Sequence, residues 1–101
     1  MADRIYVFSD DRFENICFNH LDQWEDFDTI RQLLSEIEEV EYLGSPLEGP
    51  YSRYLDFAYS DLHFTLFFHE DIGVGLRIPK NRVADEIDKL KQLVDSLVNK
   101  L

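Results

Sequence analysis

The sequence predicts an α+β fold in which a single antiparallel sheet carries two helices on one face. Residues 51–78 have the pattern of a three-stranded meander, because alternating apolar stretches are separated by two short polar breaks. Residues 22–39 and 82–99 repeat apolar side chains every three or four positions, which indicates amphipathic helices. With 101 residues and no linker, the chain is predicted to form a single domain, residues 1–101.

Two further strands are predicted before the first helix. Residues 4–9 are rich in β-forming side chains, and a polar turn at residues 10–12 separates them from a second strand at residues 13–20. Ile16 and Phe18 are two positions apart, so they are expected to share one face of that second strand. These strands are expected to extend the sheet that the meander forms.

The first predicted helix, residues 22–39, ends in a concentration of negative charge. At its start, Asp22 and Glu25 have the spacing of a capping box. Four acids lie at or just beyond its other end: Glu36, Glu38, Glu39 and Glu41. The helix dipole disfavours negative charge there, and each like-charged pair costs roughly a few tenths of a kcal/mol. Sequences tolerate such a cost on a solvated face, and they also retain it where a surface is kept for a partner.

The meander and the last helix are predicted to form most of the core. A short strand at residues 41–43 and a loop with Gly and Pro precede the meander. In Leu62–His69 the even positions are apolar, and the odd ones are His63, Thr65, Phe67 and His69. An apolar sheet face needs a cover. The helix at 82–99, with Asn81 as its predicted N-cap, supplies part of that cover through Val83, Ile87, Leu90, Val94 and Leu97.

Charge and composition exclude several classes of function. The net charge is −11, and residues 10–48 contain twelve acids but only two bases. Neutralising phosphates needs a basic stripe, so neither nucleic acid nor an anionic membrane is expected as a partner, whereas a basic protein suits this charge. Cys17 is the only cysteine, and the first residues show no apolar signal region. A cytoplasmic protein without internal disulfides is expected.

No catalytic, cofactor-binding or metal site is predicted. His63 and His69 are six residues apart on one strand, roughly 20 Å, which is too far for one metal ion. Cys17 and His20 lack the further ligands that a zinc site needs. Gly73-Val74-Gly75 lacks the longer pattern of a phosphate loop, and small residues on the outer face of a strand, where a backbone can approach closely, are expected instead.

The predicted partner-binding surface combines acids with aromatic residues and arginine. Tyrosine and arginine are favoured anchors of protein interfaces. The predicted residues are Asp22, Glu25, Asp26, Glu36, Glu38, Glu39, Glu41, Tyr51, Arg53 and Tyr54.

The second half of the chain resembles the small acidic immunity proteins of bacterial toxin–immunity systems of the contact-dependent growth inhibition type. The resemblance rests on size, acidity and the residues Gly49-Pro50-Tyr51-Ser52-Arg53, Phe57, Phe64-Thr65-Leu66-Phe67-Phe68 and Asp71-Ile72-Gly73. It implies a cytosolic binder that occludes or distorts a cognate toxin domain, often a nuclease, and it implies no catalysis by this chain.

Three hypotheses about function follow. The first is a non-enzymatic inhibitor, an immunity protein whose acidic segment mimics the charge of a nucleic acid and docks on a basic toxin domain. The second is a small regulatory module that dimerises through the outer sheet face or an edge strand, so that the chain is a monomer or a homodimer. The third is a small hydrolase that uses His63 or His69 with a nearby carboxylate.

Overall fold

The computed structural model describes residues 5–101 and shows one antiparallel sheet with two helices, which confirms the predicted α+β fold. The predicted first strand began at Arg4, which lies outside the described residues. The strands are β1 (Ile5–Ser9), β2 (Phe13–Phe18), β3 (Val40–Tyr42), β4 (Leu47–Glu48), β5 (Ser52–Tyr59), β6 (Leu62–His69) and β7 (Gly73–Pro79). The helices are α1 (Trp24–Ser35) and α2 (Val83–Lys100).

The strand order of the sheet is β1-β2-β7-β6-β5-β3, and β4 pairs with β5 on the same edge as β3. The meander β5-β6-β7 therefore lies in the middle of the sheet. The hairpin β1-β2 is added beside β7, and α1 carries the chain from β2 across the sheet to β3 at the opposite edge. Both edges of the sheet are formed by short strands.

The core lies between the sheet and the two helices. Ile16 and Phe18 are both buried on the helix-facing side, as their spacing predicts. From the meander this face receives Leu55, Phe57, Phe64, Leu66, Phe68, Val74, Leu76 and Ile78. The helices add Phe27, Ile30, Leu34, Leu90, Leu93, Val94 and Leu97, all fully buried. Burial of this much apolar surface is the main stabilisation of the fold.

Helix α1 is shorter than predicted at both ends. Its capping box joins Gln23 and Asp26 rather than Asp22 and Glu25, with the Gln23 backbone N–H donating to Asp26 Oδ2 over 3.0 Å. The helix ends at Ser35, four residues before the predicted end. No basic side chain lies in its last turn to offset the glutamates that follow, so nothing electrostatic favours extending it.

Helix α2 matches the predicted segment to within one residue at each end, but its predicted cap is wrong. Lys80–Arg82 form a short 3-10 turn, and Arg82 rather than Asn81 is the N-cap. The Lys80 backbone N–H donates to the Arg12 carbonyl over 2.8 Å, which ties this turn to the β1–β2 hairpin.

The two turns of the meander differ. Ser60 and Asp61 both have positive φ, 50° and 70°, as a two-residue type I′ hairpin requires. Between β6 and β7 the turn takes in Ile72, which was predicted to lie in the strand. Gly73 there has φ 97°, and a Cβ at this position would lie 2.7 Å from the Leu21 carbonyl oxygen. Only glycine fits this close approach without strain.

Other boundaries differ from the predictions because pairing, not local pattern, sets them. Strand β2 ends at Phe18 instead of residue 20, since His20 adopts a positive φ of 71° in a turn. Strand β3 covers Val40–Tyr42 instead of residues 41–43, and the first residue of the predicted strand at 51–59 lies outside β5. Strand β4 was not predicted, because its two residues show no alternation of their own.

Candidate functional site

The predicted acidic residues fall into two groups at opposite ends of α1. Asp22, Glu25 and Asp26 lie at its start, and the other four lie beyond its end. A helix of 12 residues is about 18 Å long, so the two groups are separate patches. The first group is partly engaged within the protein, because Asp26 caps the helix and Asp22 accepts a hydrogen bond from the Gln23 side chain over 3.0 Å.

The second group, which we call the acidic turn, comprises Glu36, Glu38, Glu39 and Glu41, and all four side chains are exposed. Ile37 lies between them and packs against the core, so its neighbours are directed towards solvent. Backbone hydrogen bonds hold the segment: Val40 N–H donates to the Ile37 carbonyl over 3.1 Å, and Ser60 N–H donates to the Glu39 carbonyl over 3.3 Å. The four charges are therefore presented on a backbone fixed to the sheet.

No glutamate of the acidic turn forms an ion pair with any residue of the described range 5–101. The nearest arginine along the helix, Arg31, instead lies 5.9 Å from the centre of the Tyr42 ring. The field of the acidic turn is thus not neutralised within the described part of the protein, and it is directed outward.

Tyr51, Arg53 and Tyr54 do not form one surface with the acids. Tyr51 is 62% exposed in the turn before β5, whereas Arg53 and Tyr54 are directed to opposite faces of that strand. The predicted set of ten residues is therefore divided among five places in the structure.

Arg53 is buried under α1, where it connects three elements. Its guanidinium donates two hydrogen bonds of 2.9 Å to the Asp28 carboxylate of α1, and its Nε donates to Glu48 of β4 over 2.5 Å. The guanidinium also donates to the Trp24 carbonyl over 3.2 Å. Its carbon lies 4.8 Å from the centre of the Trp24 ring and 4.3 Å from the centre of the Phe27 ring. Burial opposes its charge, but the bonds to Asp28 and Glu48 outweigh burial and raise the pKa of Arg53. These contacts give Arg53 a structural role.

The outer face of the sheet, opposite the helices, has a second arginine at its centre. Arg77 of β7 lies opposite Asn15 of β2 on one side and Thr65 of β6 on the other. Its guanidinium carbon is 4.0 Å from the centre of the Phe13 ring, 4.8 Å from that of Tyr54 and 5.8 Å from that of Phe67. The cation is therefore surrounded by aromatic rings, an arrangement stabilised by cation–π attraction.

Gly75 makes this arrangement possible. A Cβ at Gly75 would lie 2.9 Å from the Phe67 ring and 3.0 Å from Cys17 Sγ, so glycine leaves the space in which Phe67 lies over the sheet. Phe67 and Cys17 are buried as a result, although neither of the two helices in residues 5–101 covers them. A Cβ at Gly75 would also lie 2.7 Å from the Ile16 carbonyl oxygen, which confirms that a backbone approaches closely here.

A depression of about 440 Å³, the Arg77 pocket, opens beside this cluster. It is lined by Leu43, Ser45, Leu47, Tyr54, Asp56, Thr65 and Arg77. Thr65 Oγ1 donates to Asp56 Oδ1 over 2.7 Å, which fixes that carboxylate on the pocket wall. Sequence reasoning missed this pocket; the available signal was a single arginine in a strand that is otherwise glycine, apolar residues and proline.

The histidines and the cysteine lie apart. His63 is exposed and lines a depression together with Asp56 and Arg82, whose guanidinium donates to the His63 carbonyl. His69 Nδ1 accepts a hydrogen bond from the Asp71 backbone over 3.1 Å. Burial raises the pKa of the Cys17 thiol to about 11, so it is a poor nucleophile, and its hydrogen-bond partner is Tyr6. Among residues 5–101, no group of three or more His, Cys, Asp or Glu side chains could hold a metal ion.

Comparison with protein families, with characterised proteins and with solved structures gave no match for this chain. Within residues 5–101 neither helix is both long and apolar enough to cross a membrane.

Proposed function

We propose that this chain is a non-enzymatic inhibitor that binds a basic protein through the acidic turn. In the resemblance noted above, the partner is a toxin domain, such as a nuclease, and the chain is its cytoplasmic immunity protein. The observation that carries the proposal is the set of four exposed glutamates on a backbone held to the sheet, with no ion-pair partner within residues 5–101.

The cost of this arrangement supports a role in binding. The glutamates repel one another at the end of a helix whose dipole is already unfavourable to them. A fixed backbone keeps the charges in place before binding, so less conformational entropy is lost on association. A nuclease site is basic because it binds phosphates, and complementary charge raises the association rate with such a site.

The test replaces two of these charges. Glu38→Lys with Glu39→Lys is compared with Asp88→Lys with Asp95→Lys, which makes the same charge change at exposed positions of α2. The partner is captured from the native host and identified by mass spectrometry, and affinities are then titrated at low and high salt. Thermal melts of the free variants are recorded in parallel.

We expect the Glu38/Glu39 variant to bind at least about tenfold more weakly at low salt, since like charges then face each other. Its free form should be slightly more stable, because repulsion and the dipole penalty are relieved. The α2 variant should bind much closer to wild type. Equal affinities of the Glu38/Glu39 variant and the wild-type protein at low salt would refute the role of the acidic turn.

A second candidate function, a module that dimerises through an edge strand, is favoured by β1. This strand pairs only with β2 among the described residues, and Tyr6 and Val7 are 38% and 51% exposed on it. Exposed edges of this kind pair readily with other strands. If β1 pairs with a second copy, Val7→Lys should convert a dimer into a monomer in light scattering, and a monomeric wild-type protein would exclude this candidate.

A further inference from the structure

We propose that the Arg77 pocket binds a carboxylate that carries a small apolar group. The ligand's carboxylate accepts hydrogen bonds from the Arg77 guanidinium, and its apolar group lies against Tyr54, Leu43 and Leu47. This site is separate from the acidic turn and does not depend on the function proposed above.

Arg77 is a cation with no hydrogen-bonded partner among residues 5–101. Arg53, Arg82 and Arg77 are all at least partly buried, and the first two donate to carboxylates. Arg77 makes no hydrogen bond or ion pair with any residue of the described range, and its Nε is a buried donor without an acceptor. Because solvent cannot reach Nε, a ligand in the pocket is bound through the terminal nitrogens of the guanidinium, which are not among the buried atoms without a partner.

Two carboxylates in the vicinity of Arg77, those of Asp56 and Asp10, form no ion pair with it. Asp56 lines the same pocket, but its carboxylate accepts a hydrogen bond from Thr65 instead. Asp10 feels the positive charge of Arg77, but its pKa is lowered first by hydrogen bonds from the Arg12 and Phe13 backbone, which hold its carboxylate in the β1–β2 turn. The guanidinium is thus left available for an outside acceptor in a protein that otherwise carries a large excess of acids.

Two exposed leucines provide an apolar wall for the rest of the ligand. Leu47 is 74% exposed and Leu43 is 43% exposed, and both line the pocket beside Tyr54. Apolar walls with a few fixed polar groups are typical of ligand sites, and about 440 Å³ lies at the small end of their range. The site therefore suits a branched aliphatic group rather than a large ligand.

The charges around the pocket favour a single carboxylate over a multiply charged anion. Asp56 on the pocket wall and the net charge of −11 repel negative charge, and among the described residues that line the pocket Arg77 is the only base. A phosphate would bring up to two negative charges to a single guanidinium, whereas a carboxylate brings one and matches its two-pronged donor geometry.

Two sources share this chemistry, a free short-chain acid and the C-terminal residue of a peptide. The probes are isovalerate for the first and N-acetylleucine for the second, each compared with its uncharged amide. Binding to the full chain is followed through the Arg77 Nε–H signal in NMR spectra. For ligands with so few atoms we expect a Kd on the order of 1 mM.

We expect at least one acid to shift the Arg77 signal saturably and to bind at least about tenfold more tightly than its amide. Arg77→Gln should abolish this difference, whereas Arg12→Gln, which removes an exposed arginine outside the pocket, should leave it unchanged. If Arg77→Gln fails to fold, Leu47→Glu tests the site through an exposed residue, and the added charge should weaken binding about tenfold.

Binding of only N-acetylleucine would assign the site to peptide termini, and binding of both acids would assign it to free acids as well. Absence of a saturable shift with either acid, or equal binding of the acids and their amides, would overturn the proposal. Arg77 would then serve only to cover the outer face with its aromatic neighbours.

Discussion

The guanidinium of Arg53 is buried, but the carboxylates that neutralise it are half exposed: the side-chain exposures are 7% for Arg53, 52% for Asp28 and 45% for Glu48. Removing Arg53 would therefore leave hydrated carboxylates rather than buried charges. This limits the electrostatic loss, and much of the cost of removal should come from the packing of its side chain between the Trp24 and Phe27 rings.

We predict that Arg53→Ala lowers the free energy of unfolding by about 2–3 kcal/mol, and that Arg53→Met, which fills the same space, lowers it by less. Urea denaturation of both variants at neutral pH measures the difference. If Arg53→Ala were as stable as the wild-type protein, the connection of α1, β4 and β5 through this side chain would be unimportant.

The same pair predicts a dependence on pH. The hydrogen bond from Arg53 lowers the pKa of Asp28 from its ordinary value of 3.8. The hydrogen bond therefore contributes fully to the free energy of unfolding above pH 3.8. This contribution is lost as the pH falls through the lower pKa that Asp28 has in the folded protein. Because Asp28 is half exposed, the effect is small, and the stability difference between the wild-type protein and Arg53→Met should narrow only below that pH.

At the scale of elements, α2 shows the relation between sequence and structure most directly. Its apolar stripe at intervals of three and four residues places Leu90, Leu93, Val94 and Leu97 in the core with no exposed surface.

Leu90→Ala should lower the free energy of unfolding by about 2–5 kcal/mol, as truncations of buried leucines do. Lys91→Ala, at the adjacent exposed position, is the control and should change it by less than about 0.5 kcal/mol.

Elements with a strong period could be predicted from the sequence, and elements set by long-range contacts could not. The meander and α2 carry their pattern within their own residues, so their positions were predicted to within one or two residues. Strand β4 exists because Leu47 and Glu48 pair with Tyr54 and Arg53 of β5, which no local pattern shows.

The candidate sites also differ in whether they could be predicted from local sequence. The acidic turn is a run of neighbours in the sequence, so its charge could be recognised there. The Arg77 pocket is lined by residues between positions 43 and 77 that are brought together by the register of four strands. A single arginine in the sequence of β7 does not reveal which aromatic rings will surround it. Arg53 was placed on the correct strand, but its bonds to Asp28 and Glu48 depend on where α1 and β4 lie.

For the whole molecule, the dominant electrostatic property is self-repulsion. Most of the net charge of −11 comes from residues 10–48, and the acidic turn has no ion pair within the described residues. Such repulsion destabilises the compact state, and dissolved salt screens it over about 10 Å at 0.1 M. The protein should therefore become more stable as salt is added.

We predict that the melting temperature of the wild-type protein rises by a few degrees between low salt and 0.5 M salt, since about 1 kcal/mol corresponds to roughly 4–8 °C for a domain of this size. Glu38→Lys with Glu39→Lys should melt higher at low salt and gain less from salt. Sodium and potassium chloride should act alike if screening is the cause. A larger salt effect in the variant than in the wild-type protein would contradict this account.

The position of β7 between β2 and β6 has a consequence for how the chain acquires its structure. The meander pairs residues that are close along the chain, whereas the contact between β2 and β7 joins segments about sixty residues apart. Closing so large a loop is entropically slow, so β5, β6 and β7 should pair first, and the β1–β2 hairpin should dock last. During synthesis, that hairpin emerges from the ribosome before its partner strand has been made, so the edge of β2 that pairs with β7 stays unpaired until β7 follows.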